Sequence, residues 1–355
     1  MKILFCGGGT LGPVTPLIAV LRRMRLMRPD SEFVWIGTPH GPEAPLVEAE
    51  EVSFHSIPVA KLSRHVGLDW LSFPFDYLRA SKAAKLIIRH EAPDAVFSAG
   101  GYTQVPVIRA AAKRGITCAI HQLDATPIRS NLAVARFCRK ITTSFAYPAV
   151  KPFGNRINVE QVAIPCRFSG VKVPSREEAC ERLGVDPKKP ILFVTGGGTG
   201  ALSLNQALLS IADELLGQMQ IVHQVGRGKG SDFERDGYLQ AESFDEAHML
   251  AAYVAADLVV SRAGFGALSE LATLHKAVIA VPLPNSPQSG NVERLMDSLV
   301  VVEQGDGFSH RLRQEVVALM DDEQKRVKLG DSLAKRLKTD DGSALAKLWL
   351  SLLRG

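Results

Sequence analysis

At 355 residues the chain exceeds one average domain of about 100 to 200 residues, and an apolar content of 46% rules out a disordered chain. Five scattered cysteines (Cys6, Cys118, Cys138, Cys166, Cys180), with no Cys-x-x-Cys and no Cys/His cluster at zinc spacing, exclude a disulfide scaffold and a zinc module. No apolar run reaches the roughly 18 residues of a transmembrane helix, and the net charge of +5 favours anionic partners, whether nucleotides, phosphates or an acidic membrane surface.

The N-terminal stretch MKILFCGGGT is too short in apolar residues for a signal peptide, so a cytoplasmic location is expected. Residues 3–5 (ILF) read as a strand running into GGGTLG (7–12) and a helix over 17–24. Strands follow at 33–37, 95–100, 118–122 and 140–145, with a helix at 105–114. The same opening recurs at 191–193 (ILF), GGGTGA (196–201) and a helix over 204–215, so two similar domains are expected. Strands at 220–226, 258–264 and 277–283 and a helix at 247–256 complete the second series. Short apolar strands ending at Gly, Ser or His and alternating with helices predict α/β domains with parallel sheets covered on both faces, whose active residues lie at the strands' C-terminal ends. The Pro, Gly and Ser of 163–178 mark the boundary, giving an N-terminal domain 1–165, a C-terminal domain 166–340 and a terminal helix within 341–355 that packs back onto the first domain.

Three places carry chemistry. Gly7-Gly8-Gly9-Thr10 brings backbone amides to a helix start, where a phosphate is favoured, although a plain tight turn explains it equally well. In SRAGFGALSELA (261–272) the glycines 264 and 266 open a helix that can seat a diphosphate, and Glu270, one turn inside, can accept from the two hydroxyls of a ribose or simply complement the helix dipole. Gln288 and Asn291, three residues apart in a Pro/Ser/Gly loop, can both face one ligand and suit sugar hydroxyls, or serve the turn itself.

Together with SAGGYTQVP (98–106), HQLDATPIRSN (121–131) and HQVGRG (223–228), these motifs resemble, in order and over nearly the whole chain, the MurG family of bacterial peptidoglycan glycosyltransferases. The resemblance implies a GT-B fold, two Rossmann-like domains facing across a cleft. It also implies inverting transfer of N-acetylglucosamine (GlcNAc) from UDP-GlcNAc to a lipid-linked acceptor, lipid I. On the donor side it implies Arg167, Gly197, Gly198, Asn205, Met249, Gly266, Ala267, Leu268, Glu270, Gln288 and Asn291; Met249 also reads as plain core. On the acceptor side it implies Gly9, Thr10, Thr15, Gly101, Tyr102 and Gln122.

No Asp-x-Asp occurs, so no metal or other cofactor is expected, and helix dipole and arginine are expected to neutralise the leaving UDP. Two motifs depart from the family. Its GGTGGH turn ends here in Pro13, which cannot accept a proton, and its His-Glu-x-Asn reads His121-Gln122-Leu123-Asp124. Asp124, oriented by His121, is then the expected base, the alternative being that both residues cap a loop. Residues 65–90 interleave Trp70, Leu71, Phe73, Phe75 and Tyr77 with Arg79, Lys82, Lys85 and Arg89, which suits the anionic inner face of a cytoplasmic membrane or an ordinary amphipathic helix. No nucleic-acid-binding module is present. A transferase with another lipid or glycan acceptor and a catalytically weak sugar-nucleotide-binding relative stay open. A dinucleotide oxidoreductase would need a GxGxxG turn with an acidic ribose ligand, which the first unit lacks.

Overall fold

The computed structural model describes residues 1–59, 69–146, 153 and 159–353, with side chains from 72 onward in the helix that begins at Asp69. Residues 65–68 of the aromatic and basic segment, the side chains of Trp70 and Leu71, and residues 354–355 lie outside the described residues. The chain forms two compact units, Met1–Arg167 with Asp340–Gly355, and Phe168–Thr339.

In unit 1 the strands β1 (Lys2–Cys6), β2 (Glu32–Gly37), β3 (Ser53–Ser56), β4 (Ala95–Ser98), β5 (Thr117–Gln122), β6 (Lys140–Thr143) and β7 (Val159–Gln161) form a parallel sheet in the order β3-β2-β1-β4-β5-β6-β7. A short β8 (Ile164–Pro165) follows. In unit 2, β9 (Ile191–Thr195), β10 (Gln220–Gln224), β11 (Tyr238–Ala241), β12 (Leu258–Ser261), β13 (Val278–Ala280) and β14 (Val300–Val301) form a second parallel sheet in the order β11-β10-β9-β12-β13-β14. Each sheet starts at a central strand, runs outward through the next two and then crosses back to the other side of the first, so each has a switch point, between β1 and β4 and between β9 and β12. Ligands of such sheets bind beyond the strands' C-terminal ends at that point.

The central strands are apolar throughout because both faces are covered. Leu192 and Val194 of β9 pack on one side with Ile221 and Val260, while Phe193 on the other meets Phe244 and Tyr253. The edge strands β3, β7, β11 and β14, only half-buried or exposed, gave no apolar run to read in the sequence. The first helix is Val14–Met27, longer at both ends than its apolar stretch, and the helix expected over 204–215 breaks into Leu202–Leu209 and Ala212–Leu216. Helix Arg176–Leu183 starts on a reciprocal cap, Ser175 accepting from Glu178 N while the Glu178 carboxylate accepts from Ser175 N.

The terminal helix Ser343–Ser351 belongs to unit 1, where it packs on helix Val14–Met27. Gly342, which opens it, lies so close to Ala19 that a Cβ would sit 2.7 Å from backbone. Trp349 is fully buried and stacks on Phe97 of β4 at 4.6 Å, a contact worth about 0.5–1.5 kcal/mol beyond its buried area. Its Nε1 has no protein partner, a cost of about 1–3 kcal/mol that the burial must exceed.

Candidate functional site

In unit 1 the glycine turn after β1 is closed by the chain itself. Glu43, fully buried, accepts from Gly9 N (3.0 Å), Thr38 N (2.6 Å) and Thr38 Oγ1 (2.5 Å). The helix start behind it offers no spare donor. Val14 N and Thr15 N both donate to the Leu11 carbonyl, and Pro13 and Pro16 have no N–H. Glu43 thus takes the Gly9 amide, one of those that the glycine turn could have turned to a phosphate. Thr15 is 5% exposed, whereas Thr10 is exposed at the tip and Gly9 is half-buried. Tyr102, half-buried beyond β4, lies over Gly9, whose φ is +82°; a Cβ there would fall 2.1 Å from the tyrosine hydroxyl. Burial, and then the Glu43 charge, hold the Tyr102 phenol above its ordinary pKa. Gly101 backs onto the Gly8 carbonyl, 3.3 Å from where its Cβ would stand.

Beyond β5 a chain of amides shapes the next loop. Gln122 Nε2 donates to the Asp124 and Thr126 carbonyls (2.8 and 3.1 Å), and its Oε1 accepts from Asn131 Nδ2 (2.7 Å) and Ile128 N (3.3 Å). Gln104 Nε2 in turn donates to Asn131 Oδ1 at 2.5 Å. Gln122 is fully buried with both ends committed, so it builds the loop and does not face an acceptor. His121 points elsewhere. Its Nδ1 lies 2.9 Å from Thr142 Oγ1 and its Nε2 3.1 Å from Ser144 Oγ, with the ring fully buried and its pKa pushed down to about 3 by burial. A permanently neutral ring held on β6 neither orients Asp124 nor exchanges protons near neutral pH, which corrects the sequence reading. Asp124 itself is half-buried on the loop that Gln122 shapes. Thr103 Oγ1 and Gln104 Oε1, both buried at the start of helix Gln104–Ala112, have no protein partner.

Unit 2 supports its glycine loop from beneath. Gly200 (φ +68°) and Gly226 (φ +91°) meet back to back, a Cβ on Gly200 falling 2.2 Å from the Val225 carbonyl. Asn205 Nδ2 donates to the Val225 and Lys229 carbonyls (2.9 and 3.3 Å), which leaves its Oδ1 to accept from His223 Nε2 at 3.1 Å. That network assigns the tautomer of His223, whose Nδ1 then accepts from Tyr238 Oη at 2.8 Å. Burial pushes the His223 pKa down to about 4. Asn205 thus faces inward as a strut and not outward to a ligand, and Gly197 N is spent on Thr195 Oγ1 (3.0 Å), leaving half-buried Gly198 at the tip. Lys229 Nζ donates to the Thr199 and Gly200 carbonyls.

At the end of β12 the picture reverses. Helix Phe265–Thr273 begins at Gly264 with no side-chain cap and no acidic residue in its first turn. Leu268 N already donates to the Gly264 carbonyl (3.1 Å), so of the expected amides those of Gly266 and Ala267 remain without a helical partner and that of Leu268 does not. Beside them Arg262, 9% exposed, donates only to neutral groups: Val281 O (3.2 Å), Pro282 O (3.4 Å), Ser203 Oγ (3.0 Å) and Gln304 Oε1 (3.4 Å). No carboxylate pairs with it among the described residues. Burial pulls its pKa below the ordinary value, yet a guanidinium stays charged at neutral pH, and a buried charge without a counter-charge is costly unless an anion joins it.

Glu270 is 4% exposed on the same helix. Gln288 Oε1 accepts from Leu283 N (2.8 Å), and its Nε2 lies 3.9 Å from where a Cβ on Gly264 would stand. Asn291 is fully buried with Nδ2 on the Ala263 carbonyl (3.0 Å), so it braces the β12 turn while Gln288 alone lies against Gly264. Met249 is 6% exposed within helix Glu246–Ala255, and Arg167, 6% exposed, is the last residue of the first stretch of unit 1. Sequence reasoning missed Glu43, His223 and Arg262. Only Arg262 carried a signal, a basic residue directly after an apolar strand and before two glycines.

Comparison with known proteins agrees with this division. Residues 3–143 match the glycosyltransferase family 28 N-terminal domain and residues 191–340 the glycosyltransferase family 28 C-terminal domain. A Nocardioides UDP-N-acetylglucosamine--N-acetylmuramyl-(pentapeptide) pyrophosphoryl-undecaprenol N-acetylglucosamine transferase is 33% identical, covering 99% of this chain and 98% of its own length. The protein of the same name from Bifidobacterium adolescentis is 31% identical over 99% of this chain and 97% of its own. Among solved structures, that of Acinetobacter baumannii MurG superposes with a TM-score of 0.68 at 24% identity, covering 99% of both chains, and shares the fold.

Proposed function

Because the chain belongs to glycosyltransferase family 28, we propose that it transfers N-acetylglucosamine from UDP-N-acetylglucosamine to pyrophosphoryl-undecaprenol-linked N-acetylmuramyl-pentapeptide, the lipid intermediate of peptidoglycan synthesis. The observation that carries the donor half is the uncapped start of helix Phe265–Thr273 beside the charged, carboxylate-free Arg262. The amides of Gly266 and Ala267 and the helix dipole suit a nucleoside diphosphate, and Arg262, two residues before the helix start, carries the cation that would meet it. In the reaction they take up the charge that grows on UDP as the glycosidic bond breaks, so that the donor needs no metal. Glu270 accepts from the ribose hydroxyls and Gln288 addresses the sugar. Gly198 stands at the tip of the glycine loop. Asn205 and Asn291 hold loop and turn in place. Arg167 supplies a further cation and Met249 lines the base pocket.

On the acceptor side, Thr10 and the Tyr102 hydroxyl meet the acceptor, with Gly9 and Gly101 allowing its close approach. Asp124 takes the proton of the attacking hydroxyl, which displaces UDP with inversion. The lipid is reached from the inner membrane face. What supports this is the outer side of helix Asp69–Glu91, where Phe75, Leu78 and Leu86 are 69%, 65% and 60% exposed among exposed Arg79, Lys82, Lys85 and Arg89. Aromatic and aliphatic groups between cations suit a headgroup layer, and no helix among the described residues is long and apolar enough to cross a membrane.

A second reading, transfer of the same sugar to a different lipid or glycan, is favoured by Pro13, whose place at the first helix start removes a histidine of the family pattern. The deciding experiment follows UDP release by purified protein with a chelator present throughout. Release that depends on the lipid-linked muramyl-pentapeptide supports the first reading. Tight binding of UDP-N-acetylglucosamine without acceptor-dependent release removes it in favour of another acceptor.

A further inference from the structure

Glu43 takes no part in the reaction as described, yet its surroundings are built around its charge. Its carboxylate ties the turn after β1 to the end of β2 through Gly9 N, Thr38 N and Thr38 Oγ1, and every partner is a neutral donor. Three glycines clear its seat. A Cβ on Gly41, Gly8 or Gly37 would lie 1.9, 2.2 or 2.9 Å from a Glu43 carboxylate oxygen. A wholly buried anion with no cation beside it among the described residues is an expensive way to fill a gap. It is an effective way to immobilise an amide, because a charged acceptor makes shorter and stronger hydrogen bonds than a neutral one. The amide it immobilises belongs to Gly9, the residue on which the Tyr102 hydroxyl rests.

We infer that Glu43 is a positioning residue for acceptor recognition, its carboxylate fixing the Gly9 turn so that the turn presents the Tyr102 hydroxyl, and not its own amide, to the acceptor. The inference rests on the acceptor role proposed for Tyr102. It also gives the glycine turn of unit 1 a use other than offering the Gly9 amide to a phosphate. The charge of Glu43 further disfavours ionisation of the Tyr102 phenol, which keeps it a hydrogen-bond donor as pH rises.

The test is steady-state kinetics on the full chain with the lipid-linked acceptor, for Glu43→Gln, Thr38→Val, Tyr102→Phe and the Glu43→Gln/Tyr102→Phe pair, with UDP-N-acetylglucosamine affinity and the melting temperature measured alongside. Glu43→Gln turns one acceptor oxygen into an NH2 facing a donor. We expect kcat/KM for the acceptor to fall about 30-fold, with donor affinity held within about twofold. Thr38→Val, which removes one hydroxyl and leaves its backbone bond, should lower the same ratio about fivefold and serves if Glu43→Gln does not fold. The double variant should be no worse than the weaker single variant by more than about twofold, since both act through one hydroxyl. An unchanged acceptor kcat/KM in folded Glu43→Gln, or in Thr38→Val, overturns the inference, and so do losses that multiply in the double variant. If Tyr102→Phe alone leaves acceptor use intact while Glu43→Gln impairs it, the acceptor role of Tyr102 fails and the inference with it. An impaired Tyr102→Phe beside a normal Glu43→Gln removes only the inference.

Discussion

The corner after β1 in unit 1 and the corner after β12 in unit 2 each border the switch point of their sheet, one on its first strand and the other on the strand across from it, and they are finished in opposite ways. In unit 1 an internal carboxylate holds the glycine amide, two prolines remove donors from the helix start and the Leu11 carbonyl takes two more. In unit 2 the helix start has no cap, and a buried guanidinium beside it lacks a counter-charge among the described residues. A glycine-rich turn at a helix start is therefore only potentially an anion site. What makes it one is the set of donors left unspent once the chain has satisfied itself.

The contrast can be broken most sharply at Arg262. If it awaits the donor diphosphate, Arg262→Met should lower kcat/KM for UDP-N-acetylglucosamine about 100-fold while leaving the melting temperature level or higher, because an unpaired buried charge has been removed. A kinetically normal but destabilised variant would reduce Arg262 to a structural strut. Matched Gly→Ala changes come next. Gly200→Ala meets the Val225 carbonyl, which cannot move aside, and should cost about 2–4 kcal/mol in chemical denaturation together with donor affinity. Gly9→Ala meets the end of a tyrosine side chain, which can swing away. It should cost less stability and impair only acceptor use; equal losses in both would mean that the two turns are not differently built.

Acid sharpens a similarity between the units. His121 and His223 each stay neutral in the fold, with pKa values near 3 and 4, while an unfolded histidine binds a proton below about 6.5. Below that value the unfolded chain holds more protons, so stability falls as pH falls and is fully present above it. Each ring should cost up to about 2 kcal/mol by pH 5, read as a drop in urea midpoint that His121→Asn or His223→Asn each halves. The smallest effect belongs to Lys229, whose ammonium rests on two loop carbonyls. Lys229→Met should raise the KM for donor about threefold through a looser glycine loop and leave acceptor KM unchanged.

Much of this was legible in the sequence because the periodic signals are local. The central strands are continuous apolar runs, and both glycine turns and the Ser175 cap carry their own residue types. The edge strands β3, β7, β11 and β14 were not, since half-exposed segments of two to four residues leave no run to detect. At the site, Glu270 and Gln288 could be placed from neighbouring residues in the chain. The inward turning of Gln122, Asn205 and Asn291 could not, because it depends on partners up to 28 positions away, such as the Ala263 carbonyl that Asn291 holds. Glu43 was invisible for the same reason. Its partner Gly9 lies 34 residues upstream, and an acidic residue in a Gly/Pro loop looks like surface.

The helix Ser343–Ser351 has a consequence for how the protein is made. Trp349, against Phe97 of β4, closes the core of the unit whose strands are synthesised first. On the ribosome, Phe97 must wait for its Trp349 partner until unit 2, uninterrupted in the chain from Phe168 to Thr339, has been translated in full. Unit 1 is thus completed only by residues that follow the whole of unit 2 in the chain.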